Sequence, residues 1–296
     1  MDDTTFQVVS GRKIFLLCVG AQKSGTTWLA DYLRHHPNTD MGFAKEYHVF
    51  DALYVEECSG HYDSRIQEGL RQLTANPPFS PGSSHVFKLL DFLNNIDSYF
   101  IYFFRVARSS PRIVLTGDMT PAYCALPQHA FQMIRTKLLQ YGFEPRVVFL
   151  MRDPVERCIS AMRRELRKEG IVATADSEQA RLLQSYSERS TEMRTRYDLT
   201  VKNIESVFTK EEVHYESYEN LFNETSMRSL CNFLEINYKN PDFTKNPNPS
   251  NYKNIIPIEI RKKIFDHYSD VYQCQSAFKR DPVSASNRDP FGRLSW

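Results

Sequence analysis

The sequence has no apolar run long enough to cross a membrane. Its richest, Tyr99-Phe-Ile-Tyr-Phe-Phe104, is six residues long, against the roughly 20 that a spanning helix needs. It has no excess of either charge: 37 basic residues face 36 acidic ones, which speaks against a generally basic nucleic-acid binder. It has no internal repeat and no low-complexity tract. Its six cysteines stand at 18, 58, 124, 158, 231 and 274, with no C-x-x-C pair. Scattered cysteines of this kind read as reduced core thiols rather than a disulfide or zinc framework. No basic n-region opens the chain, so the expected location is cytoplasmic, without a membrane span. The 296 residues suffice for one large α/β domain, and 1–296 is read as a single domain.

What the sequence does have is concentrated near its start. Ile14 to Val19 is continuously apolar, the pattern of a parallel strand buried on both faces. Gly20, Ser24, Gly25, Thr26 and Thr27 follow as a small-residue turn. Apolar positions at 28, 29, 32 and 33 then mark a helix that Pro37 ends. A strand, a glycine loop and a helix N-terminus together form an anion site, because backbone N–H groups and the helix dipole converge there. The spacing Gly20-x4-Gly25-Thr26-Thr27 is close to the nucleotide-triphosphate loop G-x4-G-K-[ST]. The position that should hold lysine is Thr26, and the lysine lies earlier, at Lys23. That displacement suits one phosphate carrying a leaving group better than a β/γ-phosphate clamp with magnesium.

Downstream, short apolar strands are expected at 113–116, 146–151 and 213–215, with a further short one at 38–41. Helices are expected at 127–140, from Pro154 to Gly170, near 218–222 and 225–235, and from Pro257 on. Residues 52–112 read as mostly helical. Asp153 suits an N-cap with Pro154 as first helical residue, and Val155, Ile159, Met162 and Leu166 mark one apolar face. Alternating strands and helices predict an α/β, three-layer, phosphate-loop-like fold: a central parallel sheet of about five strands flanked by helices. Pro77 to Gly82 reads as a loop. The polar stretch 171–195 reads as a solvated helix in preference to a mobile lid. Tyr99 to Phe104 reads as core in preference to an acceptor cleft. Arg157, Arg163, Arg164, Arg167 and Lys168 read as a solvated basic face in preference to a docking site for an acidic acceptor.

The loop Gly20-Ala-Gln-Lys-Ser-Gly-Thr-Thr-Trp28 resembles the 5′-phosphosulfate loop of sulfotransferases that use 3′-phosphoadenosine 5′-phosphosulfate (PAPS). Its wording is most similar to the Golgi heparan-sulfate branch and its bacterial relatives. The resemblance implies that Lys23, Ser24, Gly25, Thr26, Thr27 and Trp28 hold the 5′ end of the cofactor. It further implies that Lys23 stabilises the leaving oxygen as the sulfuryl group departs in line. Lys45-Glu-Tyr-His-Val-Phe-Asp51 resembles the K-E-x-H-F-F-D segment of the same family, with Val49 for the first phenylalanine. There the glutamate is the general base, so Glu46 is the candidate to take the acceptor's proton. His48 is the second candidate, and a surface charge pair beside a buried Phe50 is the plain alternative. Arg152 and Ser160 fit the family's 3′-phosphate pair, an arginine at a strand end and a serine eight residues later. Asp118-Met-Thr-Pro-Ala-Tyr123 resembles its E-K-T-P-x-Y segment, with Asp118 for glutamate and Met119 for a lysine that serves the active centre. Asn248, Ser250 and Lys253 loosely match a second cofactor loop. The implied partner is a hydroxyl-bearing acceptor, carbohydrate or small-molecule alcohol, with neither nucleic acid nor metal expected. The sequence shows no metal-ligand cluster at a recognisable spacing. The rival readings are a nucleotide kinase or triphosphatase on the same loop architecture, and a non-catalytic nucleotide- or glycan-binding relative.

Overall fold

The computed structural model describes residue 11 and residues 13–74, 83–244 and 254–278. Four strands form one sheet: β1 (Lys13–Gly20), β2 (Leu115–Asp118), β3 (Phe143–Met151) and β4 (Val213–Ser217), in the order β2-β1-β3-β4. Every pairing is parallel. The helices, in chain order, are α1 (Thr26–Arg34), α2 (Phe50–Tyr54), α3 (Gly60–Thr74), α4 (Ser83–Asn94), α5 (Ile96–Ala107), α6 (Gln128–Gln140) and α7 (Pro154–Lys168). They continue with α8 (Ala175–Ser185), α9 (Arg189–Glu192), α10 (Tyr197–Glu205), α11 (Tyr218–Leu221), α12 (Glu224–Phe233), α13 (Ile258–His267) and α14 (Ser269–Phe278).

β1 is the axis of the sheet, and its unbroken apolar run follows from that place. Phe15, Leu17 and Val19 bury into one core with Phe100 and Phe103 of α5, Phe131 and Ile134 of α6, and Val155 and Ile159 of α7. Ile14, Leu16 and Cys18 bury into a second core with Trp28, Leu29 and Leu33 of α1 and Met227 and Leu230 of α12. Alternate side chains leave a strand on opposite sides, so both faces are covered and three layers result. Tyr99, Phe100 and Phe103 of the aromatic run are fully buried, the packing role expected of them.

The sheet has four described strands where about five were expected. Residues 38–41 run beside β2 but make a single bridge, Thr39 to Leu115, with Val114 N–H donating to Asn38 O at 2.8 Å and Asp40 N–H to Leu115 O at 3.0 Å. The chain there turns to begin the next segment before a ladder can form. Pro77–Gly82 and the residues Asn248, Ser250 and Lys253 lie outside the described residues. Among the described residues no helix is long and apolar enough to cross a membrane. The six cysteines are free thiols, five of them buried.

In a parallel sheet of this order the chain leaves β1 toward β2 and later returns past it to β3. The crevice beyond the carboxyl ends of β1 and β3 is therefore the topological switch point, where such sheets bind ligands. The loop after β1 and the start of α7 after β3 both open onto it.

Candidate functional site

The first wall is the loop that joins β1 to α1. Gly25 occupies the N-cap position with φ 88°, and no side chain caps the helix. A left-handed N-cap without a side-chain oxygen leaves the first-turn N–H groups to an outside acceptor. Lys23 is itself left-handed, φ 73°, a conformation that costs a non-glycine residue of order 1–3 kcal/mol and that concentrates at functional sites. Ser24 is buried and its hydroxyl has no partner. The Trp28 indole packs into the second core, stacked on Phe243 at 5.9 Å, and donates from Nε1 to Asp242 O at 3.3 Å.

The second wall begins where β3 ends. Asp153 caps α7 by accepting from Glu156 N–H at 2.9 Å, with Pro154 as first helical residue, as its sequence predicts. Arg152, just ahead of the cap, turns back toward the first loop. Its Nη1 donates to Lys23 O at 3.2 Å and its guanidinium sits 4.5 Å from the centre of the Tyr218 ring. Its Nε is buried without a partner. Ser160, two turns into α7, lines the same cleft.

The third wall is the segment 45–51, and β2 holds it in place. Lys45 Nζ donates to Glu46 Oε1 at 2.5 Å and to Thr27 Oγ1 at 3.0 Å, tying this segment to the first turn of α1. His48, on left-handed backbone with φ 49°, reaches Asp51 Oδ2 with Nδ1 at 2.6 Å and Glu46 Oε2 with Nε2 at 3.3 Å. Burial works against ionising either Glu46 or His48, but their hydrogen bonds and charges win. Glu46 is held down at about 2 by His48 and Lys45. His48 is raised to about 9 by Asp51 and Glu46. At neutral pH the pair is therefore a carboxylate beside an imidazolium.

Underneath, Asp118 is fully buried at the end of β2. It accepts from Thr120 Oγ1 at 2.6 Å, Tyr123 OH at 2.7 Å and Tyr99 OH at 3.1 Å. Thr120 Oγ1 in turn accepts from Tyr47 N–H at 2.9 Å and His48 N–H at 3.3 Å, and Tyr123 OH from Val49 N–H at 3.2 Å. Arg65 of α3 closes the turn from outside by donating to the Tyr47 and His48 carbonyls. Asp118 to Tyr123 is thus more than a turn: it holds the backbone that carries Glu46 and His48.

These walls enclose an open cleft of about 910 Å³. Its electrostatics centre on Lys23. Burial pushes that amine down to about 8, and the positive charges of Arg164, Arg167, Arg152 and Arg157 push it the same way. Two expectations need correction here. Arg157 is no part of a solvated face: it is 1% exposed, and among the described residues its guanidinium donates to Thr191 O at 3.4 Å and Cys158 Sγ at 3.8 Å. Nor is 171–195 simply solvated. Glu178 and Leu182 of α8 are fully buried, Glu178 pairs with Arg163 of α7 at 3.0 Å, and Ser185, Thr191 and Arg194 line the cleft. The segment folds over α7, which is what removes Arg157 from solvent.

The fold thus brings Lys23, Arg152, Ser160 and Glu46 to one cleft from three separate stretches. Sequence reasoning missed Lys45, although it stands directly before Glu46 in the segment already singled out. It also missed Arg157, whose burial depends on α9 and has no local signal. It showed no metal-ligand cluster, whereas the fold sets His61 of α3 against His48 and Asp51.

A parallel sheet whose first strand runs through a glycine loop into an uncapped helix, with lysine and arginine charge gathered at the switch point, defines a phosphate-loop-like α/β protein whose cleft suits an anion. The chain belongs to the sulfotransferase family: the model of that family matches residues 16–240. The kinase reading gives way to this membership, in agreement with the displaced lysine. Among solved structures, the chain is similar to a sulfotransferase from Alicyclobacillus acidocaldarius, with a TM-score of 0.58 and 19% identity, over 93% of this chain and 98% of that one. It is also similar to the sulfotransferase domain of the Synechococcus PCC 7002 olefin synthase, with a TM-score of 0.51 and 13% identity, over 93% of this chain and 98% of that one. At such identities the likeness is one of fold. No curated protein matches the sequence.

Proposed function

We propose that the chain, as one domain, is a PAPS-dependent sulfotransferase that transfers a sulfuryl group to an acceptor hydroxyl with Glu46 as base. The observation that carries this reading is the state of Lys23. It is a strained lysine at an uncapped helix start, and the leading charges that act on it are those of four arginines. Arg152 and Arg164 have carboxylate partners in Glu156 and Glu165, yet cationic charge still dominates around Lys23, and like charge gathered in a cleft favours a polyanion there.

The residues fit such a donor. The first-turn amides of α1, with Ser24, Gly25, Thr26, Thr27 and the backbone of Trp28, would hold its 5′-phosphate, while Arg152 and Ser160 would hold its 3′-phosphate. When bound, the donor supplies the sulfuryl group and an anionic leaving group. Lys23 would neutralise charge as it builds on the leaving oxygen, a preorganised donor of a kind worth about 3 kcal/mol of barrier.

The ionisation states favour Glu46 over His48 as base. An imidazolium at about 9 holds its proton at neutral pH and cannot accept another. Glu46 is ionised, and two cations hold it in place. Both contacts also weaken it as a base. Lys45, which reaches Thr27 from the same amine, would strengthen Glu46 by swinging toward anionic oxygens at the helix start. His48, backed by Asp51, would orient Glu46 and stabilise its charge. The acceptor is a hydroxyl of a sugar or small-molecule alcohol. Met119 is buried and sends no amine into the cleft, which favours acceptors other than a glycosaminoglycan.

The test is Glu46→Gln, assayed with labelled PAPS against an acceptor panel, beside calorimetry with the desulfated nucleotide. Turnover should disappear while nucleotide affinity stays within a few-fold. Undiminished transfer by Glu46→Gln removes it from the mechanism. Tight nucleotide binding by wild type with transfer to nothing identifies a non-catalytic relative.

A further inference from the structure

We propose that His48, Asp51 and His61 form a binding site for a zinc ion at the edge of the cleft, and that zinc occupancy weakens the base. The three residues offer two imidazoles and a carboxylate, a donor set suited to zinc with water in the fourth position. Their nearest donor atoms all lie within 4.8 Å of one another. His48 Nδ1 is 2.6 Å from Asp51 Oδ2, and His61 Nε2 is 4.0 Å from the same oxygen. The two rings stack at 4.1 Å, and each has a nitrogen facing the same carboxylate oxygen. Zinc–nitrogen bonds of about 2.0–2.1 Å put tetrahedral donors roughly 3.3 Å apart, within reach of ring rotations at the half-exposed His61.

A second observation points the same way. Asp51 is fully buried; its Oδ2 faces both histidines, and its Oδ1 has no hydrogen-bond partner among the described residues. A buried carboxylate normally satisfies both oxygens, and a cation on this residue would repay that deficit. The local charge is mixed. Arg65 and Arg194 act on His61 as positive neighbours, while Asp51 and Glu46 supply the negative charge.

The consequence for catalysis comes from the far side of His48. Zinc on Nδ1 would take the place of the proton shared with Asp51, and that proton would leave to solvent. The other nitrogen, Nε2, already faces Glu46 at 3.3 Å. A metal-bound histidine donates its remaining N–H to a carboxylate and holds it there. Glu46 keeps the bond that it already accepts from His48, but exchange of one proton for a divalent ion adds one positive charge behind it and weakens it further as a base. The inhibition rests on the assignment of Glu46 as base; the metal site does not.

The experiment is a titration of the full chain with Co²⁺, read by its visible d–d bands and displaced with Zn²⁺. It is run on wild type and on His61→Asn, whose side chain is half-exposed and should not affect folding. Wild type should take up one equivalent through nitrogen and oxygen ligands, and Zn²⁺ should displace it. His61→Asn should bind at least tenfold more weakly. No saturable binding, binding undiminished in His61→Asn, or thiolate charge-transfer bands would each overturn the site. In the transfer assay the Zn²⁺ concentration for half-inhibition should rise tenfold or more in His61→Asn. Zinc bound by cobalt displacement yet without effect on turnover would overturn the inhibition and leave the site. An enzyme with no turnover at all, but with the cobalt bands intact, would count against the functional reading alone.

Discussion

Arg157→Met tests whether the cleft's charge is kept for a ligand or for the fold. The guanidinium is buried, its Nε has no partner, and its two contacts are long ones to neutral groups. A buried ion carries an effective penalty of several kcal/mol. Two hydrogen bonds to neutral partners return at most about 0.5–1.5 kcal/mol each. Methionine keeps the apolar stem packed and adapts to irregular space. The variant should therefore be more stable than wild type without ligand, by about 1–2 kcal/mol, or about 2–8 °C in Tm for a chain of this size. Nucleotide binding should move the other way. A unit charge about 10 Å from an anion is worth about 1–2 kcal/mol at an effective dielectric of 20, roughly fivefold to thirtyfold in Kd. Differential scanning fluorimetry with and without the desulfated nucleotide reads both effects at once. Ligand-induced stabilisation grows as RT ln(1 + [L]/Kd), about 2.7 kcal/mol at a hundredfold excess over Kd. A variant less stable than wild type, with its nucleotide-induced shift intact, would refute the reasoning and make Arg157 a structural residue.

Lys23, held at about 8, makes both stability and binding depend on pH. Between about 8 and its unfolded value the unfolded chain binds the extra proton, so Lys23 makes stability rise with pH across that window. An anion at the site should reverse the shift, so nucleotide binding at pH 8–9 should take up protons. Calorimetry in buffers of different ionisation enthalpy measures that uptake, and Lys23→Met should abolish it. Asp118→Asn should cost about 1–3 kcal/mol. Thr120 Oγ1 already donates once and accepts twice, so an amide N–H facing it has no acceptor to use. Hydrogen exchange of the Tyr47 and His48 amides should accelerate together with the fall in Tm, and unchanged exchange would separate Asp118 from the 45–51 segment. Gly25→Ala forces a Cβ onto φ 88° and to 2.7 Å from Leu221 Cδ2. It should cost about 1–2 kcal/mol from the backbone alone and weaken nucleotide binding, measured by calorimetry; unimpaired binding would show that the loop's shape is not needed.

Much of this protein was legible locally. The run Ile14–Val19 became the central strand because continuous apolarity has only one use in a sheet covered on both faces. Asp153 and Pro154 became the start of α7 because capping is a property of adjacent residues. The loop Gly20–Trp28 announced an anion site because conformational freedom at glycine and a helix start are both written in neighbouring positions. The 45–51 segment was legible by resemblance, which singled out Glu46, but not the reason it stays ionised.

Tertiary structure decided the rest. Residues 38–41 run beside β2 yet make one bridge, because pairing depends on where the partner's edge lies. Arg157 and Arg164 are both arginines of one helix and both line the cleft, and only the packing of α8 and α9 over α7 buries the first. The pairing of Lys45 with Thr27, of Arg152 with the Lys23 carbonyl, and of His61 with His48 each joins separate segments of the chain. Backbone propensity and apolar patterning act over a few residues and fix the elements. Burial, charge balance and the pKa values that follow depend on everything that surrounds a side chain, and the surroundings are settled only when distant segments meet.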